Sequence, residues 1–240
     1  MLPLKHWQPE RVLRLFFTIV FGFGAAGLLL QLIIVIYGRR GVEPPPALLL
    51  CLGSLALHGV AIPALVSFVR GHGYTVASAF GLRAPRRWQA ILSGALLAFG
   101  MLPVGYTLLS AVRAALDALG YPADAQDHVK LLLESKSPFI RGYLFAFAVI
   151  IAPCVEESLF RGVLYPFIRD LGYPRSAFWA TAILFGLIHL NRAAFLPLTL
   201  FGFALAWLYQ RTGNLLAPVT AHALFNLAPF VAIASGADFK

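Results

Sequence analysis

The chain has 240 residues, of which 60% are hydrophobic and only 12% charged, far from the roughly 25% charged residues of an average soluble domain. That balance excludes a water-soluble globular fold and makes the chain a membrane protein. The net charge of +9 does not point to nucleic acid, because the basic residues fall in short loops between apolar runs rather than in one folded patch, and anionic lipid headgroups are the expected partner.

The first long apolar run, 15–37, has 23 residues without a charge, enough to cross a hydrocarbon core of about 30 Å at about 1.5 Å per helical residue. It exceeds the apolar region of a cleaved signal peptide, so it is expected to stay in the protein. Runs of similar quality follow at 46–69 and 88–112. The remainder divides into 142–168, 176–190, 193–209 and 215–233, the shorter ones punctuated by Gly and Pro. Lipid leaves no partner for open backbone polar groups, and no segment shows the alternating pattern of a barrel strand. The expected fold is therefore all-α: one integral membrane domain over 1–240, a polytopic helical bundle of about seven spans, with six to eight possible.

Between the third and fourth runs, "DAQDHVKLLLESK" reads as a short interfacial helix, with Asp124 placed to cap it and Lys130 and Glu134 four apart. The cluster Arg83, Arg86 and Arg87, with Arg70 nearby, outweighs Arg39 and Arg40, which predicts a cytoplasmic N-terminus. Cys51 and Cys154 lie inside apolar runs and read as small core residues rather than a disulfide. A lone histidine on an apolar span, such as His58, reads as a packing residue.

The stretch "APCVEESLFRG" breaks the apolar pattern with Glu156, Glu157 and Arg161. A charge at the centre of a spanning helix costs about 2.5 to 3.5 kcal/mol, so three unpaired ones would cost roughly 8 to 10. Glu157 and Arg161 are four apart with the acid first, the favourable order for a helical ion pair. Glu156 points about 100° away and has no local partner. Pro153 removes a backbone donor and predicts a distorted helix with room beside it.

Two later runs carry further polar groups. In "FGLIHL", Phe185 and His189 are four apart, and in "VTAHALFN", so are His222 and Asn226. A carboxylate beside an imidazole can deprotonate a water, while a second imidazole and an amide can donate to the oxyanion of a tetrahedral intermediate. There is no HExxH, no GxSxG elbow and no local Cys–His signature, which leaves zinc-protease, serine-hydrolase and papain-like readings unsupported.

The ordered set "EESLFR", "FGLIH" and "HALFN", on separate spans, resembles the EExxxR, FxxxH and HxxxN pattern of the CAAX protease and bacteriocin-processing family of intramembrane glutamic endopeptidases. The resemblance covers about 141–226. It implies that Glu156 and His189 activate water, that His222 and Asn226 form the oxyanion hole, and that Glu157, Arg161 and Phe185 support them. It implies a peptide or protein substrate at the membrane, no cofactor and no metal. A bacterial cell membrane is the expected location. Two alternatives stand beside it: a metal-dependent protease built on the same residues, and a non-catalytic peptide-binding, immunity or transport protein.

Overall fold

The structure, a computed structural model, describes residues 6–83, 86–121 and 126–235, and among these it is helical with no strand. The helices are α1 (Pro9–Arg39), α2 (Pro46–Gly71), α3 (Val76–Ala79), α4 (Arg87–Ala118), α5 (Asp127–Glu134), α6 (Pro138–Asp170), α7 (Pro174–Leu187), α8 (Arg192–Thr212) and α9 (Leu216–Ala234). Their ends follow local chemistry. Proline in the first turn of α1, α2 and α7 occupies a position where no backbone donor is needed. The Asn191 side chain accepts from the Ala194 amide to cap α8, and Gly213, with φ 64°, ends it. The short helix expected after α4 forms as α5; Asp124, expected to cap it, lies outside the described residues.

Among the described residues, six helices are long and apolar enough to cross a membrane: α1, α2, α4, α6, α8 and α9. The run at 176–190, expected as a seventh span, is instead the 14-residue α7, about 21 Å long and too short to cross alone. It packs against α8. α8 is the central element: 61% of its most apolar window is buried, against 6% for α1, which lies on α2 at the edge and exposes Phe17, Phe21, Leu28 and Leu32. In lipid such a surface needs no covering.

Close helix approach depends on small residues, as expected where lipid supplies no hydrophobic drive between helices. A Cβ on Gly202 of α8 would stand 3.0 Å from both the Cα and the carbonyl oxygen of Ala182 on α7. On α4, a Cβ at Gly94 would run into the Ala217 carbonyl of α9 and lie 2.9 Å from the Thr220 Cβ. Gly100, on the same helix, has open space around it. Gly94→Ala is therefore expected to force α4 from α9 and cost about 1 to 3 kcal/mol, read as a lower unfolding temperature in detergent. Gly100→Ala, which only removes backbone freedom, should leave that temperature unchanged or raise it.

Candidate active site

The intramembrane charges converge. Glu157 and Arg161 form the i,i+4 pair that their spacing predicts, with Arg161 Nη1 3.0 Å from Glu157 Oε1 and both side chains wholly buried. Arg161 also donates through Nη2 to the Gly202 carbonyl of α8 at 2.9 Å, and its guanidinium lies 4.7 Å from the centre of the Phe185 ring on α7. His222 of α9 places Nδ1 3.0 Å from the same Glu157 Oε1. One carboxylate oxygen thus receives donors from its own helix and from α9. Because a carboxylate only accepts, His222 Nδ1 carries the proton when that carboxylate is ionised.

Glu156 has a partner the sequence did not suggest. His222 Nε2 lies 3.9 Å from Glu156 Oε2, so one imidazole stands between the two neighbouring acids. That distance exceeds a hydrogen bond, and Glu156 Oε2 is buried with no hydrogen-bond partner. An acceptor in that state is costly unless a ligand or water meets it.

Helix α6 reaches this geometry without a break. Two π-helical segments, Ala146–Ile151 and Ser158–Leu164, flank the turn that carries Glu156 and Glu157. In the first, the Ala152 amide donates to the carbonyl of Phe147, five residues back. Continuing that pattern, the Ala148 carbonyl would look to residue 153, which is proline and has no N–H. Asn226 fills the gap, donating from Nδ2 to the Ala148 oxygen at 2.8 Å. This orients the Asn226 amide and leaves its second N–H uncommitted. The helical distortion expected from Pro153 is therefore a widened turn, of a kind often found at functional sites.

His189 follows the end of α7, where Leu190 turns the chain with φ 50°. Its Nδ1 is 2.7 Å from the Phe185 carbonyl, which can only accept, so the proton sits on Nδ1 and Nε2 keeps its lone pair. Phe185 is fully buried and holds both histidines edge-on, with ring centres 5.0 Å from His189 and 5.3 Å from His222. His189 is half-buried at the end of α7, between exposed Ile188 and Leu190, and faces the cavity. Glu156, His189 and Asn226 line one cavity of about 400 Å³.

That cavity also includes residues the sequence had given no role. His58, read as a packing residue, is nearly buried, holds Nδ1 2.7 Å from the Ser54 carbonyl, and lines the same space with Tyr143 and Arg113. Its i,i+4 bond to its own helix resembles that of His189, but the isolated sequence position gave no signal. Cys154, expected in the core, is exposed on α6, and both cysteines are free. Ser158 spends its hydroxyl on the Cys154 carbonyl at 2.7 Å. Among the described residues, no group of three or more His, Cys, Asp or Glu side chains is placed to hold a metal ion.

Comparison with known proteins finds related sequences over the part of the chain that carries these residues. The family model described as type II CAAX prenyl endopeptidase Rce1-like matches residues 139–228. The matched stretch holds every motif residue and is similar to that family. The protein named "Putative membrane peptidase YdiL" of Bacillus subtilis is 30% identical over 77 residues, covering 32% of this chain and 32% of that protein. "UPF0177 protein YaiF" of Lactococcus lactis is 33% identical over 91 residues, covering 36% and 39%. The chain thus spans 32% to 39% of the length of these curated relatives. No solved structure matches it.

Removing either partner of the buried pair strands a charge. Glu157→Gln or Arg161→Met should each cost about 3 to 5 kcal/mol, seen as a sharp fall in folded yield and unfolding temperature. The double variant Glu157→Gln with Arg161→Met, lacking both charges, should recover part of that loss.

Proposed function

We propose that this protein is an intramembrane endopeptidase in which Glu156 and His189 activate a water, His222 and Asn226 hold the oxyanion, and Glu157 and Arg161 position them. The observation that carries the reading is the buried, unpartnered Glu156 Oε2 in the same membrane-embedded cavity as His189 and Asn226. A water hydrogen-bonded to Glu156 and to His189 Nε2 attacks the peptide carbonyl carbon and gives its proton to Glu156. The carbonyl oxygen, now negative, accepts from the free Asn226 N–H and, when His222 carries protons on both nitrogens, from its Nε2. Collapse of the intermediate breaks the C–N bond, and Glu156 returns the proton to the leaving amine. Glu157 does not attack or protonate in this scheme; it fixes His222.

The substrate is a membrane-associated peptide or protein terminus. The protein is a multi-pass protein of the bacterial cell membrane with its N-terminus in the cytoplasm, supported by the arginine cluster between α2 and α4. As α4 crosses once, the cavity end lined by Arg113, Gln126 and His128 then faces away from the cytoplasm.

Glu156→Gln preserves shape and removes the base, so it should lower cleavage by on the order of 10² to 10⁴ without loss of folded protein. Mapping new termini in membrane proteomes that contain wild type or Glu156→Gln checks this and identifies the substrate; identical termini in both would remove the assignment. With a substrate in hand, Asn226→Ala should lower kcat per folded molecule by roughly 10² to 10³ and leave KM little changed. An unchanged kcat would take Asn226 out of the oxyanion hole.

A further inference from the structure

His58 sits on α2, outside the helices that carry the proposed chemistry, yet it borders the cavity that holds Glu156, His189 and Asn226. Its Nδ1 is 2.7 Å from the Ser54 carbonyl, which can only accept, so Nδ1 carries the proton and Nε2 of the neutral ring keeps its lone pair. Among the described residues nothing bonds to Nε2, and the little surface that the side chain retains opens on the cavity. The ring is also held in place. It stands edge-on to Phe147 of α6, with centres 5.5 Å apart; Phe147 stacks on Tyr143 at 4.4 Å, and the Tyr143 hydroxyl donates back to the Cys51 carbonyl of α2 at 2.9 Å. A neutral imidazole fixed in this way is a ready hydrogen-bond acceptor on the cavity wall.

We propose that His58 Nε2 accepts a backbone N–H of the bound peptide, and that the peptide therefore lies extended across the site. This rests on the endopeptidase reading of the cavity. An amide left unpaired away from water is costly, and a helix spends its interior N–H groups on its own carbonyls, so an acceptor on the wall serves only an unwound segment. The position of His58 favours this role. Phe147, against which the imidazole rests, directly precedes Ala148, whose carbonyl holds Asn226. The acceptor and the proposed oxyanion donor thus flank one π-helical segment of α6. A trans peptide group points its C=O and N–H in opposite directions, so an extended chain running between them can give a carbonyl to Asn226 and an N–H to His58.

The test reads binding, so it does not depend on finding cleavage. An N-acetylated, C-amidated pentapeptide of alternating alanine and leucine, and ester analogues that each replace one backbone N–H with oxygen, are titrated by calorimetry into the detergent-purified Glu156→Gln protein, with and without His58→Leu. One analogue is expected to bind roughly threefold to tenfold more weakly than the parent peptide, the range that a single net hydrogen bond allows. His58→Leu should weaken the parent by a similar factor and abolish the penalty of that analogue, because both changes remove the same bond. His58→Gln, which offers a side-chain carbonyl, should recover part of the loss. A residue that only packs would behave differently: His58→Leu would lower the unfolding temperature and leave every ester penalty as it was, and that result overturns the proposal. Equal binding of the parent and all its esters, or a parent peptide that does not bind, overturns it as well, and with cleavage found by terminus mapping the endopeptidase reading would survive that loss. If the expected pattern holds while terminus mapping finds no cleavage, the subsite stands and the endopeptidase reading fails.

Discussion

The structure depends on one buried ion pair. Glu157 and Arg161 are fully removed from solvent in a membrane-spanning helix, where an isolated charge has no water to turn to. The pair survives because four helices contribute to it. α6 supplies both charges, α8 offers the Gly202 carbonyl, α9 the His222 imidazole, and α7 the face of Phe185. Removing any of these groups leaves part of a charge unmet, so the relative positions of the four helices are tied to one carboxylate oxygen and one guanidinium. The network is not complete: Glu157 Oε2 and Arg161 Nε are buried without hydrogen bonds. That residual cost is a reason for the packing around it to be close, as at Gly202 against Ala182.

The same network separates the two neighbouring acids into different kinds of group. Glu157 points into the helix bundle and meets donors at 3.0 Å, whereas Glu156, one residue earlier and about 100° around the helix, reaches the cavity with an unpartnered oxygen. His222 touches both environments, fixed through Nδ1 and offering Nε2 to the cavity side. Asn226 is held in a comparable way, one N–H tied to the Ala148 carbonyl that the proline-terminated π turn leaves open. His189, His222 and Asn226 are thus each oriented by a hydrogen bond that leaves a second polar atom free toward Glu156 or the cavity. Such preorganisation is what electrostatic stabilisation of an intermediate requires.

Much of this was legible in the chain because the chemistry of lipid leaves few options. Long apolar runs gave the spanning helices, and the i,i+4 spacing of Glu157 with Arg161 gave the pair. The motif order placed Glu156, His189 and the His222–Asn226 pair on three separate runs, and the cavity unites Glu156, His189 and Asn226 while His222 approaches from behind. What could not be read were contacts between helices. Nothing in the spacing shows that His222 bonds to Glu157, that His58 and Arg113 reach the cavity, or that Cys154 faces outward. The run at 176–190 was misjudged for a related reason: hydropathy measures burial in apolar surroundings, and a short helix buried against α8 satisfies it as well as a spanning one does.

Under the proposed mechanism the buried pair sets up Glu156 to deliver water directly, with no covalent intermediate on the protein. Cleavage of the substrate found by terminus mapping, run in the presence of hydroxylamine, tests it. Direct attack by water predicts a product carrying only a free carboxylate at the new C-terminus. A hydroxamate at that position would reveal an acyl-enzyme, move the chemistry to a nucleophile such as Ser158 or Cys154, and contradict the account.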